Sequence, residues 1–152
     1  MLIHELTHEQ CVEVITRMSI GRLACSRADQ PYVVPIHYSY DQERHCLYGF
    51  SGLGQKVLWM RDNPKVCVEV EDFASRERWT TVLMFGRYEE VGDTLEEAPT
   101  RQRIWDLFQQ RSEWWLPAAA RVVQRDRHAM VVFRISIDRA TGRRAQRQRA
   151  DS

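Results

Sequence analysis

The sequence predicts a mainly β fold with helices (α+β), in which five or six antiparallel strands close into a barrel. Several segments alternate apolar and polar residues with the period of two that half-buried strands require, and helical spacing occurs only in short segments between them. No regular alternation of strands and helices indicates a Rossmann sheet. The 152 residues, 43% of them hydrophobic, suit a single domain over residues 1–138 with a flexible basic tail over residues 139–152.

The first helix is predicted over residues 7–18. Thr7 and Gln10 form a capping box, and the apolar residues after them recur at helical spacing. The strands expected between this helix and the next span residues 21–25, 32–40 and 45–50. The polar segment between the second and third of these strands makes the turn of a hairpin.

The second helix begins near Gly52 to Gly54, and Asn63 ends it because a proline follows. The first amides of a helix lack partners within it, and the helix dipole is positive at that end. A phosphate can therefore bind there, with Ser51 donating a hydrogen bond and Lys56 supplying a charge. The alternative is a capped surface helix after a hairpin, with Lys56 only solvated.

The second half of the chain predicts two further strands, a helix and a closing strand. These elements are expected at residues 65–73, 79–91, 99–111 and 129–137. Gly86 marks a bulge or a corner in the longest strand, of the kind that curls a sheet into a barrel.

Charge and composition exclude several classes of function. The net charge of +1 and the pI near 7.7 argue against bulk attraction to nucleic acid or to a membrane. The first ten residues lack the basic and apolar regions of a signal peptide, and no apolar stretch approaches the roughly 20 residues of a membrane span. Four cysteines without a paired motif indicate free or buried thiols, so a cytoplasmic location is expected.

Three other features have a structural and a functional interpretation. Residues 4–8 match H-E-x-x-H, but the helix is expected to start only at Thr7 and no third ligand is evident, so no metal site is predicted. His37 is either a proton donor in a pocket or a structural residue. The arginines of the tail could contact RNA or a phosphate, although a solvated tail fits the neutral net charge better: Arg139, Arg143, Arg144, Arg147 and Arg149.

Four blocks resemble, in order and spacing, those of the FMN-binding split-barrel family: PYVVPIHYSYD, LYGFSGLGQK, RDNPKVCVEV and WTTVLMFGRYEEV. This family includes pyridoxamine 5'-phosphate oxidase and the nitroimidazole-resistance proteins, and the similarity covers roughly residues 5–138. The resemblance implies an antiparallel Greek-key split β-barrel, and a homodimer with FMN at the subunit interface. It also implies a flavin-dependent oxidoreductase that acts on an unidentified small molecule.

The resemblance places flavin contacts on two strands, the second helix and a later strand. The residues concerned are Val34, Pro35, Ile36, His37, Gly49, Phe50, Ser51, Gln55, Lys56, Thr80 and Thr81. Gln55 and Lys56 match the Arg-Lys pair with which the oxidase holds phosphate, so neutral Gln55 replaces a cation. Val33 and Tyr38 replace an arginine and a lysine of the oxidase. True pyridoxamine 5'-phosphate oxidase activity is therefore not expected, and no catalytic residue is assigned.

Trp114 and Trp115 belong to a short segment before the closing strand, so their indoles must pack on another part of the protein. They are expected either at a barrel edge or dimer contact, or on the wall of the flavin pocket, because indoles stack on flat ligands. Two rivals to a flavin enzyme remain open at this point. One is a non-catalytic binder of flavin or haem, and the other is a structural dimer without a ligand.

Overall fold

The structure, a computed structural model, describes residues 1–110 and 130–148. These residues form eight strands and three helices. In chain order the elements are β1 (Leu2–Glu5), α1 (His8–Arg17), β2 (Ile20–Arg27), β3 (Gln30–His37), β4 (Ser39–Asp41), β5 (Cys46–Gly52), α2 (Gln55–Asp62), β6 (Lys65–Ser75), β7 (Arg78–Glu90), α3 (Ala98–Gln109) and β8 (Met130–Gln146).

The eight strands form one antiparallel sheet in the order β3-β2-β6-β7-β8-β5-β4, and β1 pairs with the far end of β8. β8 is long enough to pair with β5 along its first half and with β7 along most of its length. β3 lies against β5, so the two ends of the sheet approach each other and the sheet curls into a barrel. This architecture confirms the predicted mainly β fold with helices.

Two apolar clusters hold the fold together. The larger one fills the barrel and packs under α1, and the inward residues of β6 and β7 alternate with half-exposed ones, as the period of two requires. The smaller one lies between β5 and α3 and includes Tyr48, Ile104 and Phe108. All four cysteines are free thiols, as the sequence indicates. Within the described residues, no helix combines the length and the apolar character needed to cross a membrane.

Several local predictions are confirmed. The capping box at Thr7 is complete, with hydrogen bonds of 2.9 and 3.2 Å to and from Gln10. α2 ends at Asp62, and Asn63 before the proline is its C-cap. The bulge or corner predicted at Gly86 is also present, because the pairing of β7 with β8 shifts register between Phe85 and Gly86. A Cβ on Gly86 would lie 2.1 Å from the carbonyl oxygen of Ser136, so only glycine fits at this bend.

The predicted strand over residues 32–40 is divided in two, and the predicted hairpin is formed only by β4 and β5. β3 pairs with β2 instead. The break falls at Tyr38, which is fully buried. Its amide donates to the carbonyl of Ser19 (2.9 Å) and its hydroxyl to the carbonyl of Ile15 (2.7 Å). These contacts attach the chain to the end of α1, which a local alternation pattern does not reveal.

The predicted tail over residues 139–152 is wrong for residues 139–146, which continue β8. They pair with β7 on one side, and Arg143 to Gln146 pair with β1 on the other. The charged residues are tolerated because they lie at the sheet surface, where Arg139 stacks over the ring of Phe85 at 4.5 Å. β1 was not predicted, because its four exposed residues become a strand only through this distant pairing.

A buried carboxylate connects α3 to the β4–β5 hairpin. Asp41 is 1% exposed and accepts two hydrogen bonds from the guanidinium of Arg103, at 2.6 and 2.8 Å. The hydroxyl of Tyr48 donates to the same carboxylate at 2.9 Å. These contacts lower the pKa of Asp41 to about 2 despite its burial, and the hydrogen bonds from Arg103 are the largest cause.

Candidate functional site

The N-terminus of α2 is open to an incoming anion. Gly54 is the N-cap and supplies no side chain to the first turn, so no side-chain hydrogen bond caps the helix. A Cβ built on Gly52 or on Gly54 would meet no described atom within 4 Å. A ligand can therefore approach this backbone closely, which is the arrangement that phosphate sites at helix N-termini use.

Lys56, in the first turn of α2, is half-buried, and this burial lowers its pKa. Among the described residues, no carboxylate forms an ion pair with it. A charge removed from water is costly unless an opposite charge or hydrogen-bond acceptors compensate it. A bound phosphate would provide that compensation, so the structure fits the role that the resemblance implies for Lys56. Gln55 beside it is exposed and neutral.

Ser51 stands at the end of β5, immediately before this helix. It is 6% exposed, and its hydroxyl donates a 2.7 Å hydrogen bond to the carbonyl of Gly52. Rotation about one side-chain bond would redirect this donor to a ligand at α2. Phe50 points to the other face of β5, where its ring contacts those of Phe108 and Trp105 with centroids 4.8 and 6.4 Å apart. The side chain of Phe50 therefore supports α3.

Gly49 serves the packing of the barrel. An added Cβ would lie 2.5 Å from the buried ring of Phe133, on the neighbouring strand β8. Gly49→Ala is therefore expected to lower the free energy of unfolding by about 2 kcal/mol, because overpacking a rigid core displaces side chains or backbone. Urea unfolding of the variant measures this change. Gly52→Ala is the matched control and is expected to stay near the parent value, because space is open there.

β3 supplies an accessible strand edge next to β5 and α2. In the described part of the chain β3 pairs with β2 alone, and prolines stand at Pro31 and Pro35. Ile36 is buried in the barrel core and Val34 packs against it, whereas Pro35 is exposed and His37 is half-buried. A flat ligand can contact the free backbone edge of this strand.

The residues that the sequence predicts as flavin contacts therefore form two groups. The structure brings β3 against β5, and Tyr32 of β3 contacts Trp59 of α2, but Thr80 and Thr81 lie elsewhere. Thr80 pairs with Arg144 of β8, whereas Gly49 pairs with Phe133, eleven positions earlier on that strand. Extended strand spacing makes this separation on the order of 35 Å along β8. Trp114 and Trp115 lie outside the described residues, so their predicted flavin contact stays a prediction.

The two threonines face different environments. Thr81 lines a cavity of about 470 Å³ together with residues of β1 and β8, among them Glu5 and Arg143. Thr80 is 7% exposed, and its hydroxyl accepts a hydrogen bond from Nε of Arg144 at 3.1 Å. The sequence interpretation placed Arg144 among the arginines of a solvated tail, because its only visible signal was membership of a basic C-terminal segment.

The H-E-x-x-H match does not lie on one helix. His4 belongs to β1, and His8 is the first residue of α1. In residues 1–110 and 130–148, no three His, Cys, Asp or Glu side chains are grouped so that they could hold a metal ion.

The fold defines a protein of the antiparallel split-barrel class. The family model described as pyridoxamine 5'-phosphate oxidase matches residues 7–144. The chain belongs to this family, which confirms the resemblance and the antiparallel split-barrel fold.

Similar proteins match almost the whole chain. An uncharacterized protein of Rhizobium meliloti, RA0666, is 38% identical over 148 residues, which are 95% of this chain and 97% of that protein. An FAD-binding protein of Mesorhizobium loti, mll6688, has a crystal structure with a TM-score of 0.80 and 38% identity, covering 96% of this chain and all of that one (100%). An FAD-binding protein of Mycobacterium smegmatis shares the fold at 17% identity, with a TM-score of 0.66. The match covers 94% of this chain and 100% of that protein's chain.

Proposed function

We propose that this protein binds a flavin with its phosphate at the N-terminus of α2 and carries out flavin oxidoreduction on a small molecule. The observation that carries the proposal is Lys56, a half-buried cation without a carboxylate partner in the described chain, beside an uncapped helix end. In the proposed complex Lys56 and the hydroxyl of Ser51 hold the phosphate, and the free edge of β3 borders the ring. The bound flavin supplies the hydride or electron transfer, and the protein supplies position and environment.

The cofactor itself can be identified directly. Freshly purified protein is expected to be yellow, and mass spectrometry of the released ligand is expected to find a flavin. Bleaching by a reduced nicotinamide and reoxidation in air would support an oxidoreductase. A flavin that no donor reduces would favour a non-catalytic binder, and a Soret band would indicate haem instead.

FMN is the cofactor that the resemblance implies, and FAD is a second candidate. A phosphate monoester such as that of FMN carries a charge of about −1.5 to −2 at pH 7. In FAD the two phosphates are joined by an anhydride bond, and each has one ester bond and about one charge. The phosphate next to Lys56 would then carry a single charge, which the single cation Lys56 beside neutral Gln55 matches better. The Mesorhizobium loti relative described as FAD-binding also favours this candidate.

Exchange of Gln55 for a cation tests this charge match. Gln55→Arg is expected to improve the affinity for FMN relative to the affinity for FAD by about fivefold. An added exposed charge contributes on the order of 1 kcal/mol to binding, and it attracts the doubly charged phosphate of FMN more strongly than a singly charged phosphate. Competitive titration of apoprotein with the two cofactors measures the ratio. An unchanged ratio would contradict the charge argument. Gln102→Arg, on the exposed face of α3, controls for net charge.

We further infer that two subunits build each flavin site. Thr80 and Thr81 lie too far along the barrel to join the helix end of their own chain, so a second copy would have to bring them there. The outer sheet face offers an apolar row for this contact, formed by paired residues of neighbouring strands. This row is Val33, Ala24, Cys67 and Phe85, and its first member is 62% exposed.

A charge in the middle of this row tests the dimer. The parent is expected to sediment as a dimer that buries on the order of 2,000 Å². Ala24→Arg is expected to yield monomers that also lose most of their flavin, because a buried unpaired charge opposes association. Ala98→Arg, an exposed position on α3, is the matched control. A monomeric Ala24→Arg variant that retains its flavin would show that one chain forms the whole site.

A further inference from the structure

A small cavity, of about 230 Å³, lies between the last turn of α2, the end of β7 and the start of β8. None of the flavin contacts that the resemblance implies is among the described residues of its lining. Pockets that hold a whole ligand usually measure about 300–1,000 Å³, so this one suits a single part of a larger ligand. Its lining includes Arg61, Glu90, Gly92, Asp93, Arg101 and Met130.

The cavity lies next to the segment that we assign to the flavin phosphate. Ser51 and Gly52, which precede α2, pair with Val131 and Met130 of the cavity lining. Neighbouring strands are only about 4.8 Å apart. A ligand with its phosphate at the start of α2 can therefore extend into the cavity.

The cavity and the free edge of β3 are on opposite sides of α2. The ring of Trp59 packs against that of Tyr32 in β3, with centroids 5.5 Å apart, whereas Arg61 pairs with Glu90 of β7. Residues two positions apart on a helix point about 200° apart around its axis. A ligand that crosses the N-terminus of α2 would therefore have one end at β3 and the other end in the cavity.

The charges of the cavity balance, so it does not select an anion. Its lining has two arginines and two carboxylates. Arg61 is paired with Glu90, and Arg101 donates to the carbonyls of Val91 and Gly92 at 3.1 and 2.9 Å. This balance suits a neutral ligand group with polar atoms, and not a second phosphate.

Two side chains of the lining match the parts of a nucleoside. Nε and Nη2 of Arg61 both donate to the carboxylate of Glu90, which also accepts a 2.8 Å hydrogen bond from the hydroxyl of Tyr88. These bonds fix the plane of the guanidinium, a group that stacks on aromatic rings. Asp93 forms no ion pair within the described chain, so both of its carboxylate oxygens can accept hydrogen bonds from sugar hydroxyls.

We propose that this cavity binds the adenosine half of FAD, with the adenine stacked on the guanidinium of Arg61 and the ribose hydroxyls bound to Asp93. The flavin ring then lies on the β3 side of α2, and the two phosphates cross the N-terminus of the helix. This inference rests on the proposed flavin site, and it identifies the residues that make the protein prefer FAD to FMN.

Fluorescence titration of the full-length apoprotein with FAD and with FMN tests the proposal, because FMN lacks the adenosine half. Gly92→Leu adds a side chain to the lining and is expected to weaken FAD binding by about tenfold or more. It is expected to change FMN binding by less than about twofold. The variant should fold, because a Cβ on Gly92 meets no described atom closer than 3.7 Å.

Two further variants test the named contacts without filling the cavity. Arg61→Gln is expected to weaken FAD binding by about fivefold, because the stacking surface loses its charge. Asp93→Asn is expected to weaken it by a few fold, because a charged acceptor becomes neutral. Both variants are expected to bind FMN as the parent does.

Arg27→Gln is the matched control for Arg61→Gln. Arg27 also pairs with a carboxylate of α2, that of Asp62, and its side chain is 50% exposed, against 46% for Arg61. It is not among the described residues of the lining, so its loss is expected to change neither affinity by more than about twofold.

The outcomes separate this inference from the flavin site itself. Equal losses of FAD and FMN affinity in Gly92→Leu, or a parent that binds the two cofactors equally, would overturn the adenosine assignment and leave the flavin site standing. Equal effects of Arg61→Gln and Arg27→Gln on FAD binding would overturn the stacking role of Arg61. A parent that binds neither cofactor would overturn the flavin site and this inference together.

Discussion

Lys56→Ala is expected to weaken flavin binding by about 10- to 100-fold, because a charge-assisted hydrogen bond to phosphate contributes about 1.5–3 kcal/mol. Folding is expected to survive, because in the described chain this side chain has no ion pair to lose. Titration of apoprotein with flavin, followed by the quenching of flavin fluorescence, measures the affinity. Binding should also weaken at alkaline pH, because burial lowers the pKa of Lys56 and the charge is lost earlier than in a solvated lysine.

The only other lysine of the chain supplies the control. Lys65 is exposed at the start of β6, and Lys65→Ala is expected to bind flavin as the parent does. Lys56→Arg keeps the charge and should recover part of the affinity. If Lys56→Ala binds as tightly as the parent at limiting flavin, the phosphate lies elsewhere and the proposed placement fails.

Asp41→Ala is expected to lower the free energy of unfolding by about 2 kcal/mol, because the buried carboxylate accepts hydrogen bonds that hold α3 to the hairpin, and a hydrogen bond to a charged group contributes about 1.5–3 kcal/mol. Arg103 keeps its ion pair with Glu43 at 2.9 Å, which limits the loss. Arg103 would lose its two hydrogen bonds to the carboxylate, and the hydroxyl of Tyr48 would lose its acceptor. α3 would then be attached to the β4–β5 hairpin mainly by the apolar cluster around Phe108. Urea unfolding at pH 7 measures the loss, and Asp93→Ala, an exposed position, is the control.

The same carboxylate predicts how stability depends on pH. The pKa of Asp41 falls from 3.8 to about 2 on folding, so the unfolded chain binds its proton more readily than the folded one. Its contribution, about 2 kcal/mol, is therefore present above pH 4 and is lost as the pH falls from about 4 to 2. The Asp41→Asn variant should lack this part of the acid dependence. An identical acid profile in the parent and in this variant would contradict the assignment.

Local sequence signals predicted most elements of the fold. Thr7 and Gln10 indicated the start of α1, and the proline after Asn63 indicated the end of α2. Gly86 indicated the irregularity in β7. These features depend on backbone chemistry within a few residues, so a single sequence is enough to read them. The resemblance then supplied the family and the split barrel, which pattern and composition alone do not specify.

The site was predicted only in part. The open helix end with Ser51 and Lys56 follows from a short run of residues, and the structure places those residues together. The separation of Thr80 and Thr81 from that helix end was not visible in the sequence, because it depends on how far apart their partners lie on β8.

The sequence by itself determined the alternation of strands, the helix limits and the cation at the start of α2, since each follows from neighbouring residues. Only the tertiary structure decided the side chains' partners. It placed Phe50 against α3, Gly49 under the ring of Phe133, and Arg144 against Thr80. The physical reason is that burial and hydrogen bonding in a barrel join residues that are distant in sequence, so a basic stretch that reads as a tail becomes a strand once β1 and β7 pair with it.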